Sequence, residues 1–503
     1  MNNKTILKNS IIKNSIWIIF SNIFLRLQGF LSILFLTRMI APLELGIFNL
    51  VYNLIQRIEV INRFGIDVSI HSIGSRLASK SKSKLGKLFS TALTINIIFV
   101  GLFILITLLL RDQILTFLIK DNNLNDWLGL VLFTGIITAI GAIPWQILFS
   151  LKEFKIYSIN INLNLFYKFC LILILTNIFG YKGAIFSILV TQILYLTQGY
   201  TIANRILKKS NIPFSFKLFW PETKSIIKFG TPFYLPNAFG NLLEMPLLIY
   251  LANIGGLTQI AYLRIAETTK QMILFLPNAL SPLIITYLSE AKDDINRYEK
   301  IRLFHFRIVA GSSLYLFLFS MILIDYLIPA LFGDFYKSSI LLSKVTLLTA
   351  MFIVCNSIIS EYLISAQRTY TITLIYSLGV PLKFFIAVYL IPKFFSIGLG
   401  IAECFHAAFR CVMFLYFSFN KSNKKVKSNV LKFFFVFISS TVLIELVQFL
   451  NIILPFLVLL KLIILMMSFF VFYKYVISDL EHNFFIYFYK NFIKKNLLKF
   501  FKF

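Results

Sequence analysis

Fourteen predominantly apolar stretches run along the chain, at 15–38, 46–70, 91–110, 128–149, 159–179, 183–203, 231–252, 260–288, 304–329, 339–363, 370–391, 397–419, 433–453 and 455–476. An apolar helix of about 20 residues covers the hydrocarbon thickness of a bilayer. The pattern predicts an all-α polytopic membrane protein with about 14 transmembrane helices. The first two stretches carry more charge than the others, and order and number define the prediction better than edges do.

The polar gaps alternate in charge. The segment before the first span, residues 71–90, 150–158, 204–228, 289–303, Arg368, 420–432 and the tail 477–503 together carry +23. The intervening gaps, which hold Glu44, residues 111–127, Lys182, 325–338 and Lys393, carry −1. Cationic loops are retained on the cytoplasmic side, so both termini are expected there. Most of the net charge of +28 is thereby topological. A nucleic-acid-binding protein would gather its cations on one face among stacking aromatics. Here they are dispersed over short loops, and attraction to anionic membrane lipids, at about 1 kcal/mol per surface Lys or Arg, is the expected consequence.

Composition agrees with a lipid-facing exterior: 58% of residues are hydrophobic, 14% are charged, and mean hydropathy is +0.82. Cys170, Cys355, Cys404 and Cys411 all fall inside predicted spans and read as small apolar residues, with no metal-ligand spacing. The first apolar stretch exceeds a signal-peptide core, contains Arg26 and lacks a small-residue cleavage site, so it is expected to remain as the first helix. The outer gaps are short, the longest being 111–127. They leave no room for an extracytoplasmic domain and offer only Asp112, Asp121, Asp126, Asp325 and Asp334 as acidic groups. Nucleophile, phosphate-loop and metalloprotease motifs are absent from the sequence, and its histidines are the scattered His71, His305, His406 and His482. An enzyme is not expected, nor a metal or cofactor.

The chain repeats itself. Glu44 to Asn53 (ELGIFNLVYN), opening the second span, resembles Thr258 to Glu267 (TQIAYLRIAE), opening the eighth, at an offset of 214. Gly180 to Ala184 (GYKGA), before the sixth span, resembles Phe395 to Leu399 (FSIGL), before the twelfth, at an offset of 215. An offset that spans six helices implies two parallel halves with a central cavity between them. The polar, basic stretch 204–230, with Pro213 and Pro221, is a natural seam. The expected organisation is an N-lobe at 1–210 (helices 1–6), a C-lobe at 211–420 (helices 7–12), and 421–503 holding helices 13 and 14 with a basic amphipathic cytoplasmic tail.

Four passages carry a family resemblance. Thr37 to Phe48 (TRMIAPLELGIF) resembles the segment after the first helix of polysaccharide flippases. Leu331 to Tyr336 (LFGDFY) resembles their turn after helix nine, Ile391 to Gly400 their approach to helix twelve, and Ala261 to Pro282 their helix eight. The likeness covers about 10–420 and points to the multidrug, oligosaccharidyl-lipid and polysaccharide exporter superfamily. It implies a flippase that moves an undecaprenyl-pyrophosphate-linked sugar unit, an O-antigen or similar, from the inner to the outer leaflet of the bacterial plasma membrane for surface polysaccharide synthesis. Polysaccharide-assembly proteins are implied partners. Helices 13 and 14 depart from the twelve-helix pattern and resemble those of lipid II flippases.

Charges inside the spans can be read on their own. Arg or Lys at the centre of a spanning helix costs about 2.5–3.5 kcal/mol on insertion scales, so such groups face a wet cavity or a partner. A buried diphosphate needs cations, and arginine offers a planar multi-donor fork. The candidates are Arg26 and Arg264, followed by Arg57 and Lys270. Structural pairing is the competing reading: Glu267 with Lys270, and Glu59 with Arg63, are placed for pairing within one helix. Arg63, Lys383 and Arg410 could instead reach an interface. Glu244, Glu267 and Glu59 are candidates for coupling to H⁺ or Na⁺, or for service as charge partners. Pro232, Pro236 and Pro246 on helix seven, with Gly230 and Gly240, allow either a hinge or a static kink. Two other functions compete with the flippase. A drug or metabolite antiporter of the same superfamily predicts a mainly acidic and aromatic cavity, and a membrane-embedded glycan polymerase or ligase predicts a catalytic outer loop.

Overall fold

The computed structural model describes residues 3–78, 80–109, 122–290, 294–365, 368–419, 424–448 and 454–476. The cationic tail and most of 111–127 lie outside the described residues. Among the described residues are twelve long helices: α1 (Asn3–Met39), α2 (Pro42–Arg63), α3 (Lys82–Leu109), α4 (Asn122–Ser150), α5 (Phe154–Lys209), α6 (Trp220–Gly255), α7 (Leu257–Glu290), α8 (Ile295–Phe332), α9 (Ile340–Ser365), α10 (Thr369–Phe419), α11 (Lys424–Gln448) and α12 (Leu454–Val476). The helix α5 holds the fifth and sixth predicted spans on either side of a kink at Gly180, and α10 holds the eleventh and twelfth around Phe395. Every predicted span thus falls on a helix, and the protein is an all-α polytopic membrane protein.

Local chemistry sets the boundaries. Pro42 stands in the first turn of α2, where its missing N–H costs nothing, and the Glu44 side chain accepts from the Ala41 N–H at 3.1 Å. The second span was expected to reach residue 70, but α2 stops at Arg63. Phe64 and Gly65 both adopt positive φ, 47° and 67°, and a π-helical turn at Ile70–Gly74 follows. The reason is close packing: a Cβ on Gly65 would sit 2.6 Å from Gly230 O, and one on Gly230 would sit 2.7 Å from Gly65 O. Gly230 therefore serves a backbone contact between this break and α6.

The repeat is written into the backbone. Gly180 (φ 59°, ψ −145°) and Phe395 (φ 50°, ψ −127°) share a non-helical conformation at positions 215 residues apart. Glycine adopts it readily, whereas Phe395 bears a local cost on the order of 1–3 kcal/mol. Three residues on, a Cβ at Gly183 would lie 1.9 Å from Leu175 O, and one at Gly398 would lie 2.4 Å from Leu390 O. The same offset of 215 relates the starts of α2 and α7, the ends of α4 and α9, and the starts of α5 and α10.

The structure comprises two compact units. One contains Met1–Thr269, Leu327–Thr346 and Thr373–His406. Within it α4 packs on α2 and α5, and α1 packs along α5. Its buried core gathers Ile66 and Ile70 with Phe89, Leu93, Ile147 and Ile226. Apolar residues of α3 such as Leu102, Leu105 and Leu109 are 48–73% exposed, as expected of a surface that faces lipid. The other unit contains Lys270–Tyr326, Leu347–Ile372 and Ala407–Phe503. Its core is aromatic: Phe437 contacts Phe317 at 5.3 Å and Phe352 at 6.0 Å between ring centroids, and Phe306 contacts Phe433 at 5.6 Å. Cys355 and Cys411 are buried there, while Cys170 and Cys404 are half-buried.

Candidate functional site

One face of α2 organises the polar groups of the first unit. Tyr52, Gln56, Arg57, Glu59 and Arg63 lie along it at helical spacing. Near Tyr52, two cations converge on one ring: Lys168 Nζ of α5 is 4.7 Å from the ring centroid and Arg264 Cζ of α7 is 5.2 Å away. The Tyr52 oxygen accepts from Lys168 Nζ at 3.3 Å and from Gln56 Nε2 at 3.0 Å. Both lone pairs are then engaged, so the phenolic O–H remains a donor aimed elsewhere. Among the described residues no carboxylate lies within ion-pair distance of Lys168 or Arg264, and Arg264 Nε is buried without a hydrogen-bond partner.

One turn further along α2 the arrangement is neutralised. Arg57 Nη2 meets Glu244 Oε2 of α6 at 2.5 Å, and Arg57 Nη1 donates to Asn241 Oδ1 at 2.6 Å. Lys383 Nζ of α10 donates to the other Glu244 oxygen, Oε1, at 2.6 Å. One carboxylate thus serves two cations, and each of its oxygens is committed. Beyond it, Arg63 pairs with Glu59 and, at 3.4 Å, with Asp67.

Magnitudes separate the two groups. Each mid-helix cation costs about 2.5–3.5 kcal/mol on insertion scales, and an aromatic face recovers about 0.5–2 kcal/mol. Tyr52 therefore leaves Lys168 and Arg264 short of compensation, and water or an anion must supply the rest. A phosphate matches the donors present: a guanidinium, an ammonium and a phenolic O–H.

The other expected site residues are placed as follows. Arg26 is half-buried on α1. Arg57 and Glu244 are brought together, and Glu59 is brought to Arg63. Glu267 is half-buried on α7. Lys270, also on α7, is 5% exposed and belongs to the second unit. That unit holds its own buried polar group, in which His305 Nε2 lies 3.5 Å from Glu361 Oε2 and the Tyr362 O–H donates to Arg302 O at 2.9 Å.

Sequence reasoning missed Lys168, Tyr52 and Asn241. A signal for Lys168 was available: it stands 215 residues before Lys383, at the offset of the repeat.

Comparison with known proteins places the chain. A family model described as "Polysaccharide biosynthesis protein" matches residues 11–284. Among solved structures, a lipid II flippase MurJ in an inward closed conformation aligns with a TM-score of 0.65 at 15% identity, covering 92% of this chain and 99% of that one. An inward-facing multidrug resistance MATE family transporter of the MOP superfamily aligns with a TM-score of 0.61 at 13% identity, covering 78% and 93%. A MOP superfamily transporter from Pyrococcus furiosus, described as having a binding pocket of reversed polarity, aligns with a TM-score of 0.59 at 14% identity, covering 81% and 94%. No curated protein matches the sequence. At these identities the structural matches establish the fold.

Proposed function

Because the chain belongs to the polysaccharide biosynthesis protein family, we propose that it is a flippase for a lipid-linked oligosaccharide. The cargo is an undecaprenyl-pyrophosphate-linked repeat unit, of O-antigen or similar type. It moves from the inner to the outer leaflet of the bacterial plasma membrane by alternating access between two six-helix lobes, with both chain termini cytoplasmic. The observation that carries this reading is the pair of cations on Tyr52, Lys168 and Arg264, held inside a membrane-spanning fold without a carboxylate among the described residues. A diphosphate supplies the charge they lack, and the polyprenyl chain suits a protein whose flanks face lipid. Arg26 is a further candidate for the same anion. Coupling to H⁺ or Na⁺ through Glu244 is part of the proposal, since protonating that carboxylate would release Arg57 and Lys383 together.

Deletion tests the reading. A strain lacking the protein should lose surface polymer and hold its lipid-linked glycan on the cytoplasmic leaflet. Normal polymer with altered drug tolerance would overturn it in favour of an antiporter. Polymer loss with the glycan already outward-facing would overturn it in favour of a later assembly step.

A further inference from the structure

The two cation groups are the same position of the fold treated in opposite ways. Lys168 and Lys383 are 215 residues apart, the offset that relates the kinks at Gly180 and Phe395 and the starts of α5 and α10. In the second repeat Lys383 is held by Glu244 at 2.6 Å. The residue 215 before Glu244 is Gly29 on α1. The register of that pairing is supported by burial: Ile33 and Leu36 on α1, and Leu248 and Leu251 on α6, are all buried and stand at the same offset. Where the second repeat has a carboxylate, the first has no side chain, and a Cβ built on Gly29 meets nothing within 4 Å.

We propose that Glu244 is a built-in stand-in for a phosphate group, and that Gly29 is the position kept open for the phosphate itself. Lys168, with Arg264 and the Tyr52 O–H, is then the anion-binding position of the first repeat. The corresponding position of the second repeat is occupied internally by the Glu244 carboxylate on Lys383 and Arg57. The protein holds one phosphate-binding position where its repeat would furnish two, and the identities of residues 29 and 244 decide which. This rests on the reading of an anionic, phosphate-bearing cargo and adds to it a residue and a specificity rule.

Binding of inorganic pyrophosphate to the purified full-length protein in nanodiscs tests it by calorimetry. The unaltered protein should bind with a stoichiometry of one. Lys168→Gln and Gly29→Glu should each weaken binding by about 10- to 100-fold, the range for losing a charge-assisted contact. Gly29→Gln, of equal bulk and no charge, should weaken it much less. Glu244→Gln should add a second binding event that Lys383→Gln removes.

Unchanged binding in Lys168→Gln and Gly29→Glu, with a stoichiometry of one in Glu244→Gln, would overturn the inference while leaving an anionic cargo in place. No binding to the unaltered protein would overturn both. If Gly29→Glu fails to give monodisperse protein, Lys168→Gln and the stoichiometry of Glu244→Gln decide the matter.

Discussion

The group around Tyr52 and the group around Glu244 sit on the same helix, within two turns of each other, and use the same residue types. They differ in one charge. Arg57 and Lys383 share a carboxylate whose two oxygens are 2.5 and 2.6 Å from them, whereas Lys168 and Arg264 share a neutral ring. A cation satisfied by the chain holds helices together, and one left to a ring is available to a ligand. In a membrane protein the count of arginines thus says less than the inventory of what each arginine already touches.

The largest effect is expected from Arg264→Ala. Export should be abolished while expression and membrane insertion persist, and Arg264→Lys should restore part of it, because an ammonium keeps the charge and loses the fork. Full export by Arg264→Ala, measured as surface polymer, would break the distinction between the two groups.

Next comes Glu244→Ala, which strips the counter-ion from two cations. Removing one partner of a buried pair costs about 3–5 kcal/mol. The variant should therefore show a clearly lowered unfolding temperature in nanodiscs, and the double variant Glu244→Gln with Lys383→Met should recover much of it. Equal stability of Glu244→Ala and the unaltered protein would show that this pair does not hold the helices.

The smallest effect is expected from Tyr52→Phe. The ring face stays for both cations, while the phenolic donor to the cargo is lost. Transport should fall by about tenfold, the scale of one hydrogen bond to a charged group, with stability nearly unchanged. A drop in stability without a drop in transport would assign Tyr52 to structure.

Much of the fold was legible in the sequence because hydropathy is a local property. All fourteen apolar stretches fall on helices, and the offset read from Gly180 and Phe395 recurs as matching backbone kinks. The early end of α2 was not legible, because it depends on Gly65 meeting Gly230, a contact between residues far apart in the chain. The site was legible only in part. Arg57, Arg264 and Glu244 announced themselves as charges inside apolar spans. Which of them the fold neutralises depends on α6, α7 and α10 arriving at α2, and no spacing within one helix reports that. Tyr52 carried no signal, since an aromatic in an apolar helix reads as packing. Lys168 was accessible through the repeat, by asking what stands opposite Lys383.

The most direct test of the central claim is reconstitution. Purified protein is placed in vesicles with a polyprenyl-pyrophosphate-linked glycan confined to one leaflet, and an impermeant lectin reads the leaflet to which the sugar moves. The account predicts transfer by the unaltered protein and none above empty vesicles by the Lys168→Gln, Arg264→Ala double variant. Transfer by the double variant at the unaltered rate, or none by the unaltered protein with its coupling ion gradients supplied, would contradict it.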